Sequence, residues 1–303
     1  MPDTFSPPQY SETNLYKLYN QNHKPGLYVV ATPIGNIFDI SLRAIYILDI
    51  AKCIFAEDTR QSRKLLDFYN IKTRVIPCHE HNELSRSVME ALQSGGIYAL
   101  ISDAGTPLVS DPGYRLVGWC IRNNIEVFPI PGACAPVAAV SVAGLPTDKF
   151  IFLGFPPPKE KAKIAFLSTL KNITATMVFL ESPKRIVNTL QNMRNIWGDR
   201  RCCICRELTK VFEEIKRGNL SELGEYFSKR DPIGEFTVVV AGCGQIISNE
   251  TESEIYALLR QELERRSLRE AVKIISDSSG ISKKAIYQKA LELKLLADES
   301  PEK

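Results

Sequence analysis

The chain has 303 residues, 44% of them hydrophobic and 24% charged. That balance excludes a disordered or fibrous protein and leaves enough chain for two domains with cores of their own. A formal charge of +3 admits an anionic partner without selecting one.

Residues 1–24 are polar, lack the apolar core of a signal peptide, and are expected to be loosely held. From there strand and helix patterns alternate. Gly26 to Pro33 reads as a strand ending in the turn Thr32-Pro33-Ile34-Gly35-Asn36, and Ile40 to Leu48 has helical spacing. Cys53 to Ala56 is a second strand, followed by Glu57-Asp58-Thr59-Arg60 and a helix over Gln61 to Tyr69. Val75-Ile76-Pro77 leads into Cys78-His79-Glu80-His81-Asn82-Glu83 and a helix over Leu84 to Leu92. The apolar run Ile97 to Ile101 predicts a buried strand, Tyr114 to Asn124 a helix and Glu126 to Ile130 a strand. Pro131-Gly132-Ala133-Cys134-Ala135 then opens a small-residue helix that ends at Ala143. Residues 25–147 therefore read as an α/β domain with a mostly parallel sheet.

The pattern restarts after Gly144-Leu145-Pro146-Thr147, and residues 148–244 read as a second α/β domain. Its strands are expected at Phe150 to Phe155, Thr176 to Leu180, Cys202 to Arg206, Val211 to Lys216 and Phe236 to Ala241, with helices over Glu160 to Leu170 and from Pro183 to Met193. Gln245 to Thr251 is polar enough for a linker. Residues 251–297 are helical in period: Leu268 to Ile275, a turn at Ser278-Ser279-Gly280, then Ile281 to Leu293. Helix, short turn, helix is the helix-turn-helix pattern, with Lys283, Lys284 and Lys289 on the second helix. Ten Lys/Arg against ten Asp/Glu from residue 251 onward leave a plain helical hairpin equally open.

The notable clusters all fall at expected strand ends, where open α/β sheets carry their binding loops. The longest is Ile101 to Gly113. Small residues at Ala104 and Gly105 let backbone approach a ligand, Thr106 and Ser110 supply hydroxyls, and Pro107 and Pro112 stiffen the path. None of the turns has the spacing of a dinucleotide loop or a nucleoside-triphosphate loop. Cys202 and Cys205 form an isolated Cys-x-x-Cys in a strand-like run, and His79 and His81 lack a third strong ligand, so no metal is expected. Eight cysteines, mostly in apolar segments, together with no run long enough to span a membrane, imply a reducing, cytoplasmic setting.

These motifs resemble a known series. Val30 to Asn36, Ala56 to Arg60, Ser102 to Gly113, Pro131 to Ala135, Gly144 to Asp148, Arg206 to Lys210 and Gly234-Glu235 are similar, in order and rough spacing, to those of the ribosomal RNA small subunit methyltransferase I family. Ala133 departs from the more usual proline or serine of the fourth motif. The resemblance implies two α/β domains of tetrapyrrole methylase type with a C-terminal helix-turn-helix-like module. It implies S-adenosylmethionine as methyl donor, 2′-O-methylation of a cytidine in small-subunit ribosomal RNA, and a homodimer formed through apolar helices of the first domain. Pro33, Ala104, Gly105, Thr106, Val109, Cys134, Ala135, Glu181 and Gly234 match cofactor-lining positions. A tetrapyrrole or other small-molecule methyltransferase on the same fold, and a non-enzymatic helix-turn-helix binding protein, are the alternatives.

A sugar hydroxyl is a poor nucleophile, which leaves room for a general base. Among the strand-end carboxylates Glu57, Asp58, Asp103, Glu181 and Glu207, the favoured pair is Asp103 and Glu181, one from each domain beside the cofactor loops. Arg60, His79, His81, Lys184, Arg185, Lys210, Lys283 and Lys284 are candidate RNA contacts, with a solvated surface as the competing reading for each.

Overall fold

In a computed structural model of the chain, residues 23–243, 249–279 and 283–298 are described. Apart from His23 and Lys24, the expected loose amino terminus lies outside them, as do Gln245 to Ser248 of the expected linker.

Strands β1 (Gly26–Val30), β2 (Cys53–Ala56), β3 (Val75–Pro77), β4 (Ile97–Ile101) and β5 (Val127–Ile130) form one sheet in the order β3-β2-β4-β1-β5. All its pairings are parallel. The prolines Pro77 and Pro129 fall on its two edge strands, where a missing N–H breaks no central ladder. Helices α1 (Leu42–Ile50) and α2 (Thr59–Phe68) cover one face, burying Ile47, Leu48 and Leu66. Helices α3 (Arg86–Gln93) and α4 (Tyr114–Arg122) cover the other with Val88, Leu92, Leu116 and Cys120. Gly113 caps α4 and has no side chain to offer, so Glu83 substitutes: its buried carboxylate accepts the Arg115 and Leu116 N–H groups at 3.0 and 3.1 Å. The His79 to Glu83 segment thus has a structural task.

The second sheet is mixed. Strands β6 (Phe150–Phe152), β7 (Thr176–Glu181), β8 (Arg201–Arg206), β9 (Glu214–Asn219) and β10 (Phe236–Val240) run β6-β7-β10-β8-β9, and only β6 with β7 is parallel. Helices α6 (Glu160–Thr169), α7 (Ile186–Trp197) and α8 (Leu220–Ser228) cover one face. The opposite face receives α5 (Ala135–Ala143), which follows the first sheet in the chain but packs Ala139, Val140 and Ala143 on Val178, Cys203, Cys205 and Val239. Small side chains allow that close approach, and Arg217 holds the end of α5 by donating to Val142 O. The expected strand at Val211 to Lys216 is shifted, because Val211 and Phe212 lie on a turn at 94% and 73% exposure while the strand itself is a polar edge.

Cys202 sits in the core beneath α7, whereas Cys205 faces α5 across the sheet. The Cys-x-x-Cys cannot converge on one ligand, and no cluster able to hold a metal occurs among the described residues.

Helices α9 (Asn249–Arg265), α10 (Leu268–Ser279) and α11 (Lys283–Asp298) enclose a separate small core of Leu259, Ala271, Val272, Ile275, Ile286 and Ala290. Helix starts at Asn249, inside the expected linker, and the expected turn begins within α10; Gly280 lies outside the described residues. No helix among the described residues is long and apolar enough to cross a membrane.

Candidate active site

The loops after the adjacent central strands β1 and β4 are tied together at the carboxyl end of the first sheet. Thr32 N–H donates to Gly105 O at 2.8 Å and Gly105 N–H to Thr32 O at 3.0 Å. Thr106 Oγ1 donates to Ala133 O at 3.0 Å, bringing in the loop before α5. The second sheet supplies the facing wall, where Asn36 N–H donates to Thr209 Oγ1 at 2.9 Å. Left-handed backbone concentrates here: Leu108, Ser110, Glu207 and Thr209, none of them glycine, have φ of 72°, 69°, 52° and 65°. Such strain persists only where the surroundings enforce it, and it gathers at ligand sites.

Between these walls is a cleft of about 360 Å³. Ala104, Gly105, Thr106, Val109, Cys134, Ala135, Glu181 and Gly234 all line it, together with Ile34, Ser110, Asp111, Phe155 and Glu235. No lysine or arginine is among the lining residues. Pro33 and Asp103 instead line a second cavity of about 420 Å³ that shares Ile34, Ala104 and Glu235 with the first.

Glu181 is 2% exposed, and both of its oxygens accept hydrogen bonds. Oε1 accepts from Ser182 N–H at 2.7 Å and from Arg185 Nη2 at 2.6 Å, and Oε2 accepts from Thr189 Oγ1 at 2.6 Å. Held this way it fixes the cleft wall, a positioning task that competes with its reading as a proton acceptor. Arg185 is tied into the same network, donating also to Pro156 O at 3.2 Å, which leaves less of it for an RNA contact. Lys210 is likewise paired, with Glu207 at 2.9 Å and Glu235 at 3.2 Å. Arg60 is exposed and pairs with Asp58 at 3.0 Å. His79 and His81 are exposed, rings 6.2 Å apart, and Lys184 and Lys283 are exposed. The side chain of Lys284 lies outside the described residues.

Asp103 is exposed and accepts from Asp58 N–H at 3.0 Å. It belongs to a carboxylate group at the ends of β2 and β4. Burial raises the Glu57 pKa, and the charges of Asp103 and Asp111 raise it further. Burial also raises Asp111, against a hydrogen bond from Ser102. Asp111 and Glu235 lie inside the motifs read from the sequence but were given no site role, and Phe155, an aromatic at a strand exit before three prolines, was not singled out.

The raised pKa fixes a sign. Native Glu57 holds its proton more tightly than the unfolded chain does, so its contribution is full below the ordinary carboxylate range and is lost as pH rises through the native value. Glu57→Gln should therefore melt higher than wild type at pH 7, with the gap closing as pH falls below about 4. Thermal melts at several pH values check this, and a gap independent of pH would count against a charge origin.

The family model for Tetrapyrrole (Corrin/Porphyrin) Methylases matches residues 26–224, and that for the RsmI C-terminal HTH domain matches residues 249–294. A cobalt precorrin-4 methyltransferase of cobalamin biosynthesis superposes with a TM-score of 0.55 at 16% identity, covering 71% of this chain and 94% of that one. A diphthine synthase does so at 0.54 and 17%, covering 71% and 89%. Fold and cleft together define a methyltransferase of the tetrapyrrole methylase class. Ribosomal RNA small subunit methyltransferase I of Mesorhizobium japonicum is 46% identical over 275 residues, covering 89% of this chain and 93% of its own. That of Halalkalibacterium halodurans is 42% identical over 280 residues, covering 89% and 96%. The chain belongs to the ribosomal RNA small subunit methyltransferase I family.

Proposed function

We propose that the chain transfers a methyl group from S-adenosylmethionine to the 2′-hydroxyl of a cytidine in small-subunit ribosomal RNA. The observation that carries this reading is the paired cavities, a cation-free cleft joined to a polar one by a shared wall. The first cleft fits the methyl donor. Its glycine backbone comes within reach of a ligand, Phe155 and Ile34 offer apolar faces, Thr106 and Asp111 offer polar partners, and no cation opposes a sulfonium. When bound, S-adenosylmethionine supplies an electrophilic methyl carbon. The chain orients the two reactants for in-line approach, and Asp103 stands where it can accept the hydroxyl proton. The test is methyl transfer from labelled cofactor to small-subunit ribosomal RNA, with the modified nucleoside identified; product on a tetrapyrrole and none on RNA would overturn it.

The helical module is proposed to hold RNA. Lys283→Ala with Lys284→Ala should weaken RNA binding and lower its salt slope by roughly 0.7 to 0.9 per lost phosphate contact, with cofactor affinity unchanged. An unchanged slope by titration at several salt concentrations would make the module structural. Assembly is proposed to be a homodimer through α4, whose Tyr114 and Ile121 lie seven residues apart on one stripe, 80% and 64% exposed. Tyr114→Glu with Ile121→Glu should halve the mass by light scattering; a monomeric wild type refutes the dimer. Ribosomal RNA as substrate supports a cytoplasmic location.

A further inference from the structure

We infer that the second cavity receives the target nucleotide, turned out of its RNA stack, with Gln61 against the base and Lys64 against the phosphate. The inference rests on the cofactor occupying the first cleft. The cavity, about 420 Å³, falls in the range of small-ligand pockets, about 300–1,000 Å³. Three elements build it: the turn after β1, the face of α2 carrying Gln61, Lys64 and Leu65, and Asp103 with Ala104 after β4. Positions i, i+3 and i+4 lie together on a helix, so these three α2 residues present one surface.

The chemistry along that surface is graded. Pro33, Ile37 and Leu65 are apolar and suit the flat face of a pyrimidine. Gln61 presents an amide with both a donor and an acceptor, the complement of a Watson–Crick edge. Lys64 Nζ donates to Gln61 Oε1 at 2.8 Å, which turns the amide nitrogen away from the ammonium and leaves it to donate elsewhere. Among the described residues Lys64 pairs with no carboxylate, whereas Lys210 across the cavity is held by two. Lys64 is therefore the cavity's available cation for a phosphate, and Arg60, one turn earlier on α2, extends the same edge.

Position explains the division of labour. A methyl donor in one cavity and a ribose in the other meet at the shared wall of Ile34, Ala104 and Glu235, and Asp103, next to Ala104, lines the acceptor side. The hydroxyl oxygen gains the methyl group, the sulfonium leaves as neutral thioether, and the hydroxyl proton passes to the Asp103 carboxylate. With the ribose at this wall the base would occupy the rest of the cavity, against Pro33, Ile37 and Leu65, and to lie there it must leave its stack.

The test uses the full chain. Gln61 is exposed, so both Gln61→Ala and Gln61→Trp should fold. Gln61→Ala should raise KM for RNA about tenfold, and Gln61→Trp, which fills the cavity, should cost at least a further tenfold in kcat/KM. Lys64→Ala should raise KM and reduce the salt slope of RNA binding. All three should bind S-adenosylmethionine as wild type does by calorimetry. Weakened cofactor binding in these variants would assign the cavity to the cofactor and overturn the inference. Undiminished kcat/KM in Gln61→Trp would overturn it too, by showing the cavity to be dispensable. Failure of the cofactor reading is distinguished because it appears as loss of S-adenosylmethionine binding nowhere in the first cleft, including at Gly105.

Discussion

Gly105→Val is expected to abolish S-adenosylmethionine binding, with affinity falling at least about 100-fold, roughly 2.7 kcal/mol. Two physical effects combine. Gly105 has φ of +83°, a conformation that a β-branched residue adopts only under strain, and an added Cβ would meet Ile34 Cγ2 at 3.2 Å inside the cleft. The Thr32–Gly105 bridge fixes the backbone from both sides, so the loop cannot swing to relieve either effect. Gly105→Ala separates the contributions, since it keeps the unfavourable φ but lacks the two γ-carbons that would project into the cleft. An intermediate loss is expected for it. Calorimetry on folded protein checks both, and full affinity in Gly105→Val would move the cofactor elsewhere.

The parts of this fold legible from sequence are those whose burial leaves a hydropathy signature. Cys53 to Ala56 and Ile97 to Ile101 were placed to the residue because parallel strands covered on both faces are continuous apolar runs. Strand β9 was misplaced because an edge strand such as Glu214–Asn219 carries polar side chains, and the apolar Val211 and Phe212 beside it drew the assignment. Helix α8 was missed altogether, although Asn219 and Glu222 form a capping box and Leu220, Leu223 and Phe227 repeat at helical spacing. The antiparallel pairing of β7 with β10 leaves no mark in local pattern.

The same distinction separates the site residues. Glycines and small residues of the cleft announce themselves by type, because close backbone approach restricts the choice. A charged side chain announces only its charge. Whether Arg185 faces RNA or Glu181, and whether Lys210 is available or paired, depends on partners far apart in the chain or across a turn. Gln61 became visible only once α2 was seen to turn that face toward Asp103.

Asp103→Asn is the substitution with the largest expected effect on the chemical step. The carboxamide keeps the size of the side chain and an oxygen to accept the Asp58 N–H, now at 3.0 Å, so the loop should hold its shape. What disappears is a group able to take the hydroxyl proton, and kcat should fall by about 10²- to 10⁴-fold. Cofactor affinity should change little, because Asp103 lines the second cavity and the cofactor cleft keeps every one of its residues. Glu57→Gln is the control: it removes a neighbouring carboxylate charge without touching either cavity's lining and should leave kcat within a few-fold of wild type. Single-turnover rates with saturating cofactor separate chemistry from product release. If Asp103→Asn retained near wild-type rates, alignment of the two reactants across the shared wall would carry the catalysis, with the proton lost to solvent.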